Sequence, residues 1–396
     1  MKIPVTKTVF DHLDRELLLK PLETGWLVQG PFVNEFEKNF CEFIPVQHAC
    51  ATTSCTTALH LALLATGIGK GDKVIVPSFT YVATANAVEY TGAEVIFCDI
   101  DLRTFNIDIN DVKSLLEQDI EKKIKAILTV NLFGLCSDLP SLLDLTRQFN
   151  VKLIEDSACG LGAYIGDKHS GTFGSIGCFS FHPRKAITTG EGGMLITKDP
   201  EISQKARSLR DHGASKSDLQ RHKEKGGSLL PDFAIKGYNY RMTDLQGALG
   251  VSQMKKVKDI LQGRANIAQR YMQKLKNISG LIPPIVKPGY THAYQSFVCL
   301  FAKDHDLADI SFEEINKLNI QRNVFMRKLE KLGISVRQGT HAVHTLSYYK
   351  EKHRLRDKDF IRSFAADRLS VTLPLYATMT DEEFDYVIKN ISELLK

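Results

Sequence analysis

Short unbroken runs of apolar residues, too brief for helices, recur through the first two-thirds of the chain. "DKVIVP" (72–77), "AEVIFCDID" from Ala93, "KIKAILTVNLFG" from Lys123, "VKLIEDSA" from Val151, "GCFSFHP" from Gly177 and "GGMLIT" from Gly192 each predict a buried strand. Between them, "TALHLALLATGI" (57–68) and "LPSLLDLTRQFN" (139–150) carry the apolar pattern of helices. Strands apolar on both faces and separated by helices define a mostly parallel sheet covered on each side. Ligands in such folds gather beyond the carboxyl ends of the strands, and Asp156 falls at such an end.

From Thr243 the pattern changes. "TDLQGALGVSQMKKVKDILQGRANIAQRYMQKLKN" predicts a long helical region, "YQSFVCLF" and "LSVTLPL" predict strands, and "FMRKLEKLG" and "TDEEFDYVIKNISELLK" predict helices. The division expected is a large α/β domain over residues 1–255, with an N-terminal arm, and a smaller α+β domain over 256–396. The polar stretch "DHGASKSDLQRHKEKGGSLLPD" before the boundary is too long for a simple connector, so it is functional or mobile.

The totals narrow the class. A chain of 396 residues, 43% hydrophobic and 24% charged, has the make-up of a soluble enzyme too long for one comfortable core. A formal net charge of +5 is too mild and dispersed for a nucleic-acid partner, and it suits a small anionic substrate equally well. Eight scattered cysteines with no C-x-x-C pair read as reduced thiols in a cytoplasmic protein. The start lacks an apolar signal core, and no segment has the ~18 uninterrupted apolar residues of a membrane span.

"SFHPRKAITTGEGGM" (180–194) holds the most informative lysine, Lys185, between an apolar run and three glycines. A phosphate-binding Walker loop needs its lysine after the glycines, and here the order is reversed. A nicotinamide site is only grazed by "CGLGAYIG", where Gly160, Gly162 and Gly166 place the third glycine one position late, as a tight turn would. The third reading is a Schiff-base lysine. A free lysine amine has a pKa of about 10.4, whereas an imine with pyridoxal phosphate exchanges readily with an incoming amine. Such a site needs a carboxylate for the pyridine nitrogen, an aromatic face for the ring and donors for the phosphate.

Each part has a candidate. Asp156, closing "KLIED", suits the pyridine nitrogen, its ordinary reading being a turn cap. Ser54, Cys55 and Thr56 precede a buried helix whose first amides and dipole favour an anion, although a plain N-cap gives the same pattern. Ser180 offers a further hydroxyl, and Tyr81 in "SFTYVATANAV" a ring face.

Together these residues resemble the DegT-type (DegT/DnrJ/StrS) sugar aminotransferases, a branch of the fold-type I pyridoxal phosphate enzymes of the aspartate aminotransferase superfamily. The colinear stretches are "TGWLVQGPFVNEFE", "SCTTALHLALLATGIGKGD", "VPSFTYVATANAV", "IEDSACGLGA", "SFHPRKAITTGEGG" and "GYNYRMTDLQGALG", so the resemblance runs nearly end to end. It implies the fold-type I architecture, with Lys185 bonded to the cofactor, Asp156 on the pyridinium and Tyr81 stacked on the ring. Ser180 and the backbone of Cys55 and Thr56 would hold the phosphate. Asn239 of "GYNYRM" would reach the phosphate of a neighbouring subunit, which implies a homodimer with shared active sites. Two departures stand out. Many members have glycine where Cys55 stands, and glutamine or histidine where Cys159 stands beside the cofactor's phenolic oxygen; a thiol is a weaker hydrogen-bonding group there.

The implied reaction is a ping-pong transfer of an amino group from glutamate or glutamine to a nucleotide-linked keto-deoxy sugar, Lys185 acting as general base and acid. Arg221, with His222, Lys223 and Lys225, is a candidate for a diphosphate, or is a solvated loop. Trp26 borders the substrate mouth in relatives, or anchors the N-terminal segment. His341 and His344 in "GTHAVHTLSYY" lack a nearby carboxylate, which favours substrate contact or packing over a metal. An aminocyclitol ketone such as an inosose is the nearest alternative substrate. A dehydratase branch with histidine in place of the lysine is disfavoured by Lys185, and a non-catalytic regulator by the lysine–aspartate pair.

Overall fold

The computed structural model describes residues 1–223, 231–302, 307, 310 and 311–396. Its centre is a seven-stranded sheet formed by β1 (His48–Thr52), β2 (Lys73–Pro77), β3 (Glu94–Cys98), β4 (Ile124–Val130), β5 (Lys152–Asp156), β6 (Ile176–Ser180) and β7 (Gly193–Thr197). The order is β1-β7-β6-β5-β4-β2-β3. β2, β3, β4, β5 and β6 pair in parallel, and only β7 runs against both of its neighbours.

Alternation along each strand explains why both faces are apolar. Val74 and Val76, Leu128, Ile154 and Leu195 enter one core, packed by the helix Cys55–Ala65. Ile75, Ile127 and Leu153 enter a second core, and Met194 and Ile196 a third, on the opposite face. A strand buried on both sides reads as continuous apolar sequence, and each such side chain contributes about 1.5–3 kcal/mol on burial. β1 escaped the apolar signal because "HACATT" is short and rich in small residues.

A smaller antiparallel sheet joins β8 (Gly280–Ile282), β9 (Phe297–Ala302) and β10 (Ser370–Leu373), with β9 in the middle. Its core takes Ile267 and Tyr271 from the helix Val257–Leu275 and Phe384 and Val387 from the helix Asp381–Leu395. Ile3 is buried in this core too, its amide bonded to the carbonyl of Gly333, so the first residues of the chain join its last third. The residues Val257 and Ile260 at the start of the helix Val257–Leu275 pack instead with the large sheet, so this helix links the two cores. The long helical region expected from Thr243 is broken at Lys256, between the helices Asp244–Lys255 and Val257–Leu275. Lys256 there pairs with Asp11 and Asp14 of the N-terminal arm. A two-residue strand, His341–Ala342, pairs with Phe79–Thr80 just beyond β2 and ties the C-terminal third to the strand ends of the sheet.

Candidate active site

The carboxyl ends of β4, β5 and β6, the turn after β2 and residues 337–340 and 372–375 enclose a cavity of about 480 Å³. Lys185, Asp156, Ser54, Cys55, Thr56, Tyr81, Cys159 and Ser180 all line it. Residues scattered over some 130 positions of sequence converge there because parallel strands end on one edge.

Asp156 is the last residue of β5 and is 5% exposed. One carboxylate oxygen accepts from the amide of Ala158 at 3.1 Å and the other from the Thr84 hydroxyl at 2.8 Å. Burial raises its pKa above the ordinary carboxylate value, with these donors and Lys185 opposing. Thr84 was not read from sequence; its signal was its position three residues after Tyr81 at the opening of a helix, Ala83–Tyr90.

Lys185 sits in a loop closed at its base. The amide of Phe181 donates to the carbonyl of Gly192 at 2.9 Å, and the Thr188 hydroxyl donates to the carbonyl of Phe181 at 2.7 Å. The flanking threonines therefore shape the loop and leave the cavity to the amine. Lys185 Nζ lies 3.2 Å from Cys159 Sγ. Burial disfavours the ammonium, but Cys159, then Cys55 and Asp156, more than offset it and hold the pKa above the usual lysine value.

The helix Cys55–Ala65 begins at the cavity wall, two residues earlier than its apolar pattern predicts, because Ser54 and Thr57 form a capping box. The Ser54 hydroxyl accepts from the Thr57 amide at 3.2 Å, and the Thr57 hydroxyl accepts from the Ser54 amide at 3.1 Å. The N-cap reading of Ser54 is met by this capping box. The cap occupies the third amide, while among the described residues the amides of Cys55 and Thr56 have no acceptor. Gly193 makes this approach possible, since a Cβ there would lie 2.3 Å from the Ser54 carbonyl oxygen and 2.6 Å from the Cys55 nitrogen.

This donor set fits pyridoxal phosphate. Open amides at a helix start, beside the hydroxyls of Thr56 and Ser180, suit a phosphate dianion. A buried carboxylate with spare acceptor capacity suits a protonated ring nitrogen. Tyr81, 66% exposed, presents an aromatic ring at the cavity wall. The glycine turn after β5 does not fit a dinucleotide. The amide of Gly162, at φ +88°, donates to His169 Nε2 at 2.9 Å, and the chain continues into a hairpin rather than a helix.

Four candidates stand outside the cavity. Trp26 donates from Nε1 to the carbonyl of Gln29 at 3.4 Å and meets the His222 ring edge-on at 5.2 Å. His341 is exposed and pairs through its backbone with Thr80. His344 is fully buried, with Nδ1 2.6 Å from the Ser78 hydroxyl. Arg221 lies in a short helix, Asp218–Lys223, and Lys225 is outside the described residues. Asn239 is also away from its own chain's cavity; it is exposed and bridges through its backbone to Asp211. Sequence reasoning did not find Val5, Thr6, Arg184, Gln295 or Arg337, which line the cavity with no local motif to announce them.

A mostly parallel α/β sheet with a small antiparallel domain, joined at a lysine–aspartate cavity with a phosphate cradle, has the form of a pyridoxal phosphate-dependent aminotransferase. The model of the DegT/DnrJ/EryC1/StrS aminotransferase family matches residues 10–392, and the chain belongs to that family. It is 36% identical over 395 residues to the spore coat polysaccharide biosynthesis protein SpsC of Bacillus subtilis, covering 100% of this chain and 97% of that one. It is 35% identical over 397 residues to a GDP-perosamine synthase of Caulobacter vibrioides, covering 100% and 98%. Among solved structures it resembles PseC of Helicobacter pylori, an aminotransferase of pseudoaminic acid biosynthesis, with TM-score 0.87, 25% identity and coverage of 100% and 99%. A putative sugar aminotransferase of Streptococcus pneumoniae, solved in a PLP form, gives TM-score 0.87 at 25% identity, covering 100% and 98%.

Proposed function

We propose that this chain moves an amino group from glutamate or glutamine to the keto carbon of a nucleotide-linked keto-deoxy sugar, in two alternating half-reactions. The observation that carries the reading is the single cavity walled by Lys185, Asp156 and the open amides of Cys55 and Thr56. The names of the relatives, among them a GDP-perosamine synthase and a spore coat polysaccharide biosynthesis protein, support a sugar ketone and a place in polysaccharide assembly.

When bound, pyridoxal phosphate supplies an aldehyde for amine exchange and an electron-withdrawing ring. Asp156, oriented by Thr84 and the Ala158 amide, holds a proton on the ring nitrogen. Lys185 would anchor the cofactor and, with its amine free, would serve as the general base and acid that moves the proton at the substrate carbon. Cys55, Thr56 and Ser180 would hold the phosphate, Tyr81 would offer its ring to the cofactor ring, and Cys159 would offer a thiol to the phenolic oxygen. Asn239, exposed and remote from its own cavity, serves the phosphate of a second copy in a homodimer. Eight free thiols support a reducing compartment, the cytoplasm. Among the described residues no helix is long and apolar enough to cross a membrane.

The test is a ketone panel. Purified enzyme is given glutamate or glutamine with a set of nucleotide-linked keto-deoxy sugars and inososes, and products are weighed by mass spectrometry. Exchange of the keto oxygen for an amine on a nucleotide sugar is the expected result. Amination of an inosose alone would replace this substrate with the cyclitol alternative.

A further inference from the structure

Two arginines in the cavity wall have no acidic partner among the described residues. Arg184 immediately precedes Lys185, and Arg337 comes from the segment leading to His341; both line the same cavity and both are exposed to it. Among the described residues neither guanidinium forms an ion pair, although Glu191 and Asp156 belong to the same wall.

Some of the other arginines carry an acidic partner. Arg207 and Arg210 share Glu37, Arg241 pairs with Asp211, and Arg362 meets Asp99, Asp108 and Asp111. The unpaired two are also firmly mounted. The carbonyl of Arg184 accepts from Gln295 Nε2 at 2.8 Å, and its amide donates to His182 Nδ1 at 3.2 Å. Arg337 exchanges backbone hydrogen bonds with Thr372, at 3.3 and 2.6 Å. Burial and then the like charge of Arg337 both hold the Arg184 pKa below the usual arginine value, so the two cations feel each other. Like charges held together without a counter-ion cost stability, and an arriving anion relieves that cost. Guanidinium forks match carboxylates and phosphates in geometry as well as charge.

We propose that Arg184 and Arg337 form a clamp for an oxyanion of the substrate, either a carboxylate of the amino donor or the diphosphate of the acceptor. The proposal rests on the transaminase reading above. Each arginine comes from a different part of the chain, one beside Lys185 and one beside β10, so the fold brings two cations to one cavity.

The test uses holoenzyme and the variants Arg184→Gln, Arg337→Gln and Arg337→Lys. The donor arm follows bleaching of the visible cofactor band by L-glutamate in a single turnover. The diphosphate arm measures inhibition of that bleaching by inorganic pyrophosphate. If the clamp takes the donor carboxylate, each glutamine variant raises the half-saturating glutamate concentration about tenfold, as loss of a charge-assisted hydrogen bond does. If it takes the diphosphate, glutamate saturation is unchanged and the pyrophosphate inhibition constant rises by a similar factor. In either case Arg337→Lys recovers part of the loss. Unchanged values in both arms for both glutamine variants would overturn the clamp. Wild-type protein without a visible band would instead refute the underlying transaminase reading, and calorimetric binding of pyrophosphate to wild type and Arg337→Gln would then judge the arginine pair by itself, equal affinities counting against it.

Discussion

Glu155 and Asp156 are neighbours on β5, yet alternation sends them into opposite faces of the sheet and into different occupations. Glu155 is fully buried and accepts from the amides of Gly171, Phe173 and Gly174 at 2.6, 2.8 and 2.9 Å and from Asn131 Nδ2 at 3.1 Å. It pins the loop before β6, and its acceptor capacity is filled. Among the described residues Asp156 has the Ala158 amide and the Thr84 hydroxyl, with Cys55 Sγ at 4.0 Å. A carboxylate has about four lone-pair sites, so Asp156 keeps room for a ligand. Burial raises the pKa of both acids. What separates the two acids here is the completeness of their hydrogen bonding.

Substitutions sharpen that contrast. The largest effect belongs to Lys185→Ala, which should fold normally and lose turnover by about a thousandfold or more, measured by product formation beside a circular dichroism melt. Asp156→Asn comes next, with a loss of about a hundredfold in turnover and no loss of apoprotein stability at neutral pH. The sign follows from the raised pKa. The native state holds that proton longer than the unfolded chain does, so the ionised group costs stability as pH rises above the ordinary carboxylate pKa, and a neutral amide removes the cost. Glu155→Gln removes a charge cost of the same sign, but its filled set of four hydrogen bonds makes the lost acceptor outweigh it. Its amide nitrogen cannot accept from the loop, so urea unfolding should show a loss of about 1–3 kcal/mol, while turnover per folded molecule stays at the wild-type level.

The effect smallest at neutral pH, and growing only in acid, concerns His344. Burial holds its pKa down to about 4, so it stays neutral in the native state. The unfolded chain takes up a proton near pH 6.5, so the stability contributed by neutral His344 is complete above that value and drains away as pH falls toward 4. His344→Gln should flatten the acid side of the stability profile by about 1.4 kcal/mol per pH unit and leave the half-saturating concentration of substrate unchanged. A large rise in that concentration would restore His344 as a substrate residue.

The parts of the fold that were legible in sequence are those with a local cause. Doubly buried strands wrote themselves as apolar runs, and the end of β5 placed Asp156 on the ligand edge before any geometry was available. Cys55 and Thr56 announced themselves through a polar cap ahead of an apolar helix. The pieces brought in by tertiary contact left no such trace. Val5 lines the cavity because the N-terminal segment pairs with the last third of the chain, the amide of Leu375 donating to the Val5 carbonyl at 2.9 Å. Gln295 is set by a buried arginine, Arg264, which donates to the carbonyls of Tyr294 and Gln295. Sequence left His341 and His344 open between substrate contact and packing, which only tertiary structure can separate. Here the backbone of the first extends the edge of a strand, and the ring of the second is buried against Ser78.

The most direct measurement is borohydride reduction of the purified protein followed by peptide mass mapping. The predicted result is loss of the yellow colour and a reduced cofactor adduct on the peptide that carries Lys185. An adduct on a different lysine, or a colourless protein with no adduct at all, would contradict the assignment.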